Sequence, residues 1–366
     1  CGRRGPDWGW FRVSLPQSSL FVEQTAVHLH VEFSLAPGID DPSLLRALSA
    51  AREAATWLGG PNVVWGFAPS LWRRLSGGRL PEDVCDFVGV GPGNAAGVPV
   101  TQSDIWLWVH GNDYPAVWRT GYDVAAELTD VAAVDGSIRG YKAPDSRDPT
   151  GFIDGTENPV IDEAMAVALI PDGQPGAGGS PVLVQKWVHD LAAFEALPVA
   201  AQQDVIGRTK PDSVQLPDDV MPVTSHVSRN TITDDEGHER HIFRRNTPFA
   251  DLHEVGTVFI GASREPARID LMLERMFGVT DDGLHDELTR YSTPVTGSYY
   301  FVPAMTELTA VFGSIGDDED SADDPEAAAS SAGEPAGAAS AASSGAEAAS
   351  GPAGSDLGIG SLLGRD

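Results

Sequence analysis

The chain has 366 residues, with 24 Lys and Arg against 53 Asp and Glu, which gives a formal net charge of −29 at pH 7. This acidic excess disfavours binding to nucleic acid or to an anionic membrane surface, because both present negative phosphates. The two cysteines, Cys1 and Cys85, are too few for a disulfide framework or a Cys-based metal site. That cysteine content is typical of a reducing compartment such as the cytoplasm.

The first half of the chain shows alternating strand and helix patterns. Residues 27–33 alternate strictly between apolar and polar, which predicts a strand with one buried face. His28 and His30 share the polar face of this strand, and two histidines at this spacing could bind a metal. Because no third ligand is near them, we expect this face to be solvated instead. Helical spacing of apolar residues predicts a helix from Asp41 to Gly59. Further strands are predicted at 62–67, 105–109 and 131–141, the last with a central turn, and a further helix at 118–128.

The second half repeats this order. Strands are predicted at 182–188, 241–243, 257–262 and 298–303, and helices begin at Asp190, Gln202 and Glu265. The order strand, helix, strand, strand, helix, strand is that of the split βαβ, or ferredoxin-like, unit. The sequence therefore predicts an α+β protein with two such domains in tandem, at residues 12–150 and 151–312, after an N-terminal extension at 1–11.

The composition changes after residue 312. Residues 313–355 are rich in Ala, Ser, Gly, Pro, Asp and Glu, and such a segment buries too little apolar area to offset its chain entropy, so we predict a disordered linker. Apolar residues return within residues 356–366, at Leu357, Ile359 and Leu362. A frayed terminus is one interpretation. We favour a docking peptide, because exposed apolar groups at the end of a tether usually bind something.

Four polar residues are candidates for chemistry. Asp154 lies in Gly-Phe-Ile-Asp-Gly-Thr-Glu-Asn-Pro (residues 151–159), where the glycines permit unusual backbone angles and a close approach by a ligand. An Asp-Gly pair is most often a simple turn. His226 alone could not build a zinc site, but one imidazole is enough to hold haem iron. Arg244 and Asn246 follow a short strand and could face a reacting ligand, or could form a solvated edge.

Together these segments closely resemble the motifs of dye-decolorising peroxidases. The resemblance covers residues 12–310 and is carried by 151–159, Ile-Gly-Arg-Thr-Lys (206–210), Ser-His (225–226), Arg-Arg-Asn-Thr-Pro-Phe (244–249) and Pro-Val-Thr-Gly (294–297). It implies two ferredoxin-like domains with antiparallel sheets and one haem b between the sheet and the helices of the second domain. The chain is most similar to the bacterial branch called type B.

The resemblance also implies roles for individual residues. His226 is the expected axial ligand of the haem iron, with Asp286 as the acceptor for its other ring nitrogen. Asp154, Arg244 and Asn246 are expected to act on the opposite, distal face of the haem, where peroxide is cleaved through a ferryl intermediate. Whether Asp154 or Arg244 dominates that step is left open. The remaining residues expected around the cofactor are Gly155, Thr156, Glu157 and Arg208, the last as a partner of a haem propionate.

The predicted function is a peroxidase that uses hydrogen peroxide to oxidise dyes, phenolics and other organic one-electron donors. Mn²⁺ is a further candidate donor, with Glu157 and Glu239 as candidate ligands. An electron relay to the surface could use aromatic residues, although core packing is the stronger interpretation for each of them: Trp187, Tyr291, Tyr299 and Tyr300. A haem-handling protein with little turnover, and a ligand-binding module without haem, are the alternatives.

The C-terminal segment resembles a cargo peptide. Residues 356–362, Asp-Leu-Gly-Ile-Gly-Ser-Leu, are similar to the peptides by which such peroxidases dock inside encapsulin shells. The resemblance implies a cytoplasmic enzyme held in an encapsulin compartment through Leu357, Ile359 and Leu362. It also implies a homo-oligomer, since members of the family commonly assemble.

Overall fold

The computed structural model describes residues 14–57, 59–234 and 236–313. The predicted N-terminal extension, the linker beyond residue 313 and the docking peptide with Leu357, Ile359 and Leu362 lie outside the described residues. Within the described ranges, no helix combines the length and the apolar character that crossing a membrane would require.

The first half of the described chain begins with a short 3-10 helix, η1 (Ser18–Phe21), and continues through seven longer elements. These are β1 (Val27–Leu35), α1 (Asp41–Ala54), β2 (Asn62–Phe67), α2 (Pro69–Leu75), β3 (Ile105–Gly111), α3 (Tyr114–Leu128) and β4 (Ala132–Tyr141). Helix α1 begins where the sequence predicts, because the Asp40 side chain caps it by accepting a hydrogen bond of 2.8 Å from the Ser43 backbone N–H. The short helix α2 is not among the predicted elements.

The second half contains more short elements than the sequence predicts. They are α4 (Ile161–Ala168), β5 (Ser180–His189), α5 (Leu191–Glu195), α6 (Val199–Ile206), α7 (His226–Asn230), β6 (Phe243–Arg244), β7 (Thr247–Ala250), β8 (Val255–Ala262), α8 (Pro266–Met276), the 3-10 helix η2 (Glu287–Arg290), β9 (Ser292–Pro294), β10 (Ser298–Val302) and α9 (Met305–Phe312). The predicted strand at 241–243 is displaced towards Arg244.

The strands pair into one sheet in the order β4-β1-β3-β2-β10-β5-β8-β6, with β7 paired to β8 and β9 to β5. Each of these pairings is antiparallel. The first four strands have the order fourth-first-third-second along the chain, and the order β10-β5-β8-β6 repeats it. This is the strand order of a ferredoxin-like unit used twice, so the predicted α+β class with tandem ferredoxin-like units is confirmed. The exact boundary at residues 150 and 151 stays a prediction.

Strand β4 differs from its prediction in one detail. It runs without a central turn, and the irregularity that the sequence suggests is a bulge. Glu32 of β1 is paired with Gly136, whereas Phe33 is paired with Val134, so that Asp135 is the extra residue.

The prediction that His28 and His30 face solvent is wrong. They are only 4% and 3% exposed, and all seven residues of the neighbouring strand β3 are buried. The apolar side chains of β1 belong to one core with α1 and α3, whereas the polar-looking face packs against Trp106 and Trp108 of β3. The alternation of residues is therefore real, but here it separates two buried surfaces and not a core from water.

Candidate active site

A cavity lies between strands and helices of the second half of the chain. Its polar lining comes from the segment 148–157, from β5 and β6 and from α7, while α8 and β8 add apolar side chains. Ligand cavities generally combine an apolar surface with a few polar groups that fix orientation. The cavity lining includes Asp148, Asp154, Gly155, Thr156, Glu157, Trp187, Arg208, His226, Asn230, Glu239, Arg244, Asn246, Phe259, Met272, Leu273 and Met276.

The first residue of α7, His226, is held by two polar side chains. Its Nδ1 lies 2.6 Å from Oδ2 of Asp286 and 3.0 Å from Nδ2 of Asn230. The helix itself starts here because Ser225 caps it, accepting a hydrogen bond of 3.2 Å from the Ser228 backbone N–H. Since Nδ1 is engaged by a carboxylate, Nε2 is the nitrogen with which His226 can bind a metal.

Asp286 is fixed as firmly as the imidazole that it contacts. Its side chain is 0% exposed. It caps η2, because its Oδ1 accepts a hydrogen bond of 2.9 Å from the Leu288 backbone N–H. A buried carboxylate that accepts the second N–H of a ligand histidine makes the other nitrogen a stronger donor to a metal. This is the arrangement that the sequence predicts for His226 and Asp286.

A second polar group on the cavity wall comprises Asp154, Arg244 and Asn246. Nδ2 of Asn246 donates to Oδ1 of Asp154 at 3.1 Å, which joins two residues 92 positions apart. Within the described residues, the buried Oδ1 of Asn246 has no hydrogen-bond partner. Asp154 and Arg244 are partly buried and line the same cavity. A buried polar group without a partner is unusual, and here it belongs to a residue that lines a cavity able to hold a ligand.

The backbone of Arg244 is set by Asn158, a residue that the sequence reasoning did not select. Oδ1 of Asn158 accepts a hydrogen bond of 2.9 Å from the Arg244 N–H, and its Nδ2 donates to the Arg244 carbonyl oxygen at 2.6 Å. The two bonds tie β6 to the segment that carries Asp154. Asn158 lies in the same motif as Asp154, four residues further on, but its contact with Arg244 joins residues 86 positions apart and is set by the fold.

The segment 146–158 needs its glycines. Gly151 and Gly155 have φ angles of +83° and +84°, in the left-handed region that other residues rarely adopt. The turn between Asp148 and Gly151 is closed by a backbone hydrogen bond of 3.0 Å, and Arg147 donates to the Gly151 carbonyl oxygen at 2.7 Å. A substituent at Gly155 would meet only Asn158 within 4 Å, so the glycine leaves open space.

Asp148 is a second carboxylate on the cavity wall that the sequence reasoning missed. Burial raises its pKa to about 6, and the negative charge of Asp154 adds to this, while hydrogen bonds from Thr150 oppose it. Below that pH Asp148 is protonated, and the segment carries one negative charge fewer beside Asp154. Burial also lowers the pKa of Arg244, although Asp154 and Glu157 raise it by attraction.

Two residues predicted to contact the cofactor contact each other. Arg208 is 8% exposed and forms an ion pair with Glu157, and it also donates to the Ser213 carbonyl oxygen at 2.6 Å. Gly155, Thr156 and Glu157 line the cavity, which is where a cofactor contact would place them. Their role in binding stays a prediction. Glu239 lies on the wall as well, with its side chain half exposed near His241.

The four aromatic relay candidates lie in different places. Trp187 lines the cavity, and Tyr291 packs against Phe194. Tyr299 and Tyr300 are buried, and each donates its hydroxyl to a carboxylate: Tyr299 to Asp270 at 2.8 Å and Tyr300 to Glu32 at 2.5 Å.

Comparison with known proteins identifies the family of this chain. A family model described as Dyp-type peroxidase, C-terminal, matches residues 145–307. A dye-decolorizing peroxidase of Mycobacterium tuberculosis is 38% identical over 251 residues, 68% of this chain and 74% of that protein. One from Brevibacterium linens is 34% identical over 310 residues, 83% of each chain. The chain therefore belongs to the dye-decolorizing peroxidase family, and the predicted enzyme class is confirmed.

Solved structures show the same fold. A Rhodococcus jostii RHA1 DypB variant in complex with haem is 34% identical and superposes with a TM-score of 0.73, covering 81% of this chain and 98% of that one. The encapsulated DyP-type peroxidase from Mycobacterium smegmatis is 30% identical with a TM-score of 0.75, over 81% and 98% of the two chains.

The two hydrogen bonds between the Asn158 side chain and the Arg244 backbone give a testable prediction. Asn158→Ala should lower kcat/KM for hydrogen peroxide by roughly 10- to 100-fold, because a displacement of about 1 Å at a positioning group can cost that much. Steady-state kinetics in the Arg244→Leu background provides the control. If Asn158 acts through Arg244, its substitution there should have little further effect; a full additional loss would show an independent role.

Proposed function

We propose that the cavity holds one haem b with Nε2 of His226 as the protein ligand of the iron. The chain is a peroxidase by family, and haem is its cofactor. The observation that carries the assignment of residues is the pairing of His226 with the buried carboxylate of Asp286, which leaves one imidazole nitrogen for the cavity.

The cavity suits a flat, largely apolar macrocycle. Apolar side chains of α8 and β8 offer contact surface, and Gly155 leaves space on the segment that carries Asp154. The buried Oδ1 of Asn246, which has no partner in the described residues, and the guanidinium of Arg244 are the groups expected to face a reacting ligand. The residues that line the cavity therefore fit haem, the cofactor that the family implies.

When bound, haem supplies the iron at which peroxide is reduced and from which organic donors are then oxidised. The protein supplies the proton chemistry. Oδ2 of Asp154 is the free carboxylate oxygen, because Oδ1 accepts from Asn246. We assign to it the proton that leaves the near oxygen of peroxide and returns to the departing one. One carboxylate can take the proton from one peroxide oxygen and return it to the other, because these two oxygens are bonded to each other.

Arg244 has a separate role in this proposal. Negative charge develops on the oxygen that departs, and a guanidinium already fixed beside it stabilises that charge without reorganisation. The backbone bonds from Asn158 hold the residue in place. Arg244 also offsets the repulsion that an ionised Asp154 would exert on a peroxide anion, so both residues contribute to the same step.

Arg208 and Glu157, which were predicted to bind a propionate and Mn²⁺ respectively, form an ion pair with each other. Arg208 stays a predicted propionate partner, but it would have to share its guanidinium with Glu157. That same pairing weakens Glu157 as an Mn²⁺ ligand with Glu239. Within the described part of the chain, the group of carboxylates and imidazoles with suitably close ligand atoms is Asp234, Glu236 and His238, in an exposed loop. We therefore propose organic donors as the main reductants.

The absorption spectrum of the purified holoprotein tests this assignment. We expect His226→Ala to lose the Soret band of bound haem, because His226 is the imidazole that Asp286 holds in the described part of the chain. Arg244→Leu should keep the Soret band but slow the spectral change after one equivalent of peroxide by roughly 10²- to 10³-fold, the usual cost of removing such a donor.

Arg245→Lys is the matched control for Arg244→Leu. It changes the adjacent arginine, which packs over Trp108 and does not line the cavity, and it should react with peroxide at the wild-type rate. Wild-type kinetics in Arg244→Leu would refute the role of Arg244. A Soret band with no response to peroxide in the wild-type protein would favour the haem-handling alternative.

We further propose that residues 356–366 dock the enzyme inside an encapsulin shell in the cytoplasm. The support is the sequence of this segment and the relative from Mycobacterium smegmatis, which is described as encapsulated. An oligomeric enzyme would place several such peptides on one particle and so raise its avidity for the shell.

Deleting residues 356–366 tests the docking proposal. We expect the truncated enzyme to stop co-purifying with a co-expressed shell while its peroxidase turnover is unchanged. Deletion of residues 336–346, which has the same length and lies in the linker, is the control and should not affect loading. Loading of the enzyme without residues 356–366 would disprove the proposal.

A further inference from the structure

A stack of buried aromatic rings starts behind the cavity wall. Arg245 lies between two cavity residues, Arg244 and Asn246, and its guanidinium carbon is 5.5 Å from the centre of the Trp108 ring. Trp108 stacks on Trp106 with ring centres 5.9 Å apart, and Trp106 stacks on Tyr300 at 5.8 Å. Trp106, Trp108 and Tyr300 are each 0% exposed.

The backbone is shaped to make this stack possible. Trp106 is on β3 and Tyr300 is on β10, and β2 lies between these strands. On β2, Gly66 is the residue paired with Trp106. A Cβ atom at Gly66 would lie 2.9 Å from the Trp106 ring and 3.0 Å from Cβ of Tyr300. The glycine therefore lets two rings stack across an intervening strand.

The stack ends at a phenol paired with a carboxylate. The hydroxyl of Tyr300 donates to Oε1 of Glu32 at 2.5 Å, and Glu32 lies on β1, directly opposite Trp106. Oxidation of a phenol by one electron releases its proton, and a hydrogen-bonded carboxylate can take that proton without either group moving. A neutral phenoxyl radical then remains, which needs no solvation by water.

We propose that Trp108, Trp106 and Tyr300 form a one-electron relay from the haem cavity, and that Tyr300 with Glu32 is the site where the oxidising equivalent is stored. One electron leaves Tyr300 and passes through Trp106 and Trp108 to the oxidised haem group that the peroxidase reaction supplies. The Tyr300 O–H bond breaks, and its proton moves to Oε1 of Glu32. An electron from a later donor restores the phenol, and the proton returns from Glu32. This relay rests on the proposed function.

The electrostatics favour storage at Tyr300 and not at either tryptophan. A positive charge on the Trp108 ring would lie beside the guanidinium of Arg245, which repels it. Trp108 could instead lose its proton to Nδ1 of His28, which accepts from it at 3.1 Å. However, burial and Arg245 lower the pKa of His28 to about 4, so it is a poor base. Nε1 of Trp106 has no partner in the described residues and cannot release a proton.

Storage away from the cavity would have a clear use. When no donor is at hand, an oxidising equivalent that stays at the haem can damage the site. The stored equivalent here lies in a core between strands, where exposed protein groups and solvent do not reach it.

Electron paramagnetic resonance of the haem-loaded protein, frozen shortly after one equivalent of peroxide, tests the relay. We expect a tyrosyl radical signal whose hyperfine structure changes when the protein contains ring-deuterated tyrosine. The signal should disappear in Tyr300→Phe. Glu32→Gln, which keeps the size of the side chain but cannot take up the proton, should lose most of it as well.

Tyr299→Phe is the matched control. Tyr299 is the preceding residue, is 6% exposed, and also donates to a carboxylate, Asp270. Its ring packs on Phe87, and among the described residues it stacks on no tryptophan. Its substitution should leave the signal intact. Gly66→Ala, which changes no redox-active side chain, should separate Trp106 from Tyr300 and reduce the signal, so it tests the path even if Tyr300→Phe folds poorly.

The possible outcomes separate this relay from the proposed function. A haem spectrum that responds to peroxide without any tyrosyl signal would overturn the relay and leave the peroxidase assignment intact. A signal that persists in Tyr300→Phe, or that disappears in Tyr299→Phe, would also overturn it. A haem spectrum that does not respond to peroxide would refute the proposed function, and the relay with it.

Discussion

The site depends first on one hydrogen bond, between Nδ1 of His226 and the carboxylate of Asp286. It joins residues 60 positions apart, and it has to form in a place that excludes water, since Asp286 is fully buried. Both partners are further fixed by helix caps, His226 through Ser225 and Asp286 through the start of η2. A buried carboxylate without a partner would be costly, so the imidazole and the carboxylate hold each other in place.

The second constraint is that the sheet carries two different sets of side chains. Strands β5, β6 and β8 contribute residues to the cavity wall. Strands β1, β3 and β10 contribute a layer of buried aromatic rings and histidines, and β2 passes beside it at Gly66. The segment Arg244–Asn246 connects the two, because neighbouring residues point to opposite sides of an extended chain. Arg244 and Asn246 line the cavity, and Arg245 packs over Trp108. One short segment, from the end of β6 to the residues before β7, therefore supplies both polar groups of the cavity wall and the boundary of the aromatic stack.

Hydrophobic patterns in the sequence predicted the class of fold for physical reasons that are local, whereas the polar site was predicted from the resemblance of its motifs to those of dye-decolorising peroxidases. Hydrophobic periodicity defines β1, β2 and α8, and Gly151 to Pro159 forms a compact motif. The errors concern what only the folded chain determines. Alternation in β1 could not reveal that a second layer covers His28 and His30, and spacing could not show that Arg208 is already paired with Glu157. Asn158 and Asp148 were missed because their roles arise from contacts with Arg244 and from burial, not from residue type.

The reduction potential of the bound haem iron tests the central interaction most directly. In the ligation that we propose, an anionic acceptor on Nδ1 makes His226 a stronger donor to the iron and favours the ferric state. We expect Asp286→Asn to raise the midpoint potential by about 60 mV or more, a roughly tenfold shift in the one-electron equilibrium. Asp282→Asn removes a carboxylate that is paired with Arg229, a residue of the helix that also carries His226. This substitution should leave the midpoint potential unchanged. An equal potential in Asp286→Asn and wild type would contradict the account.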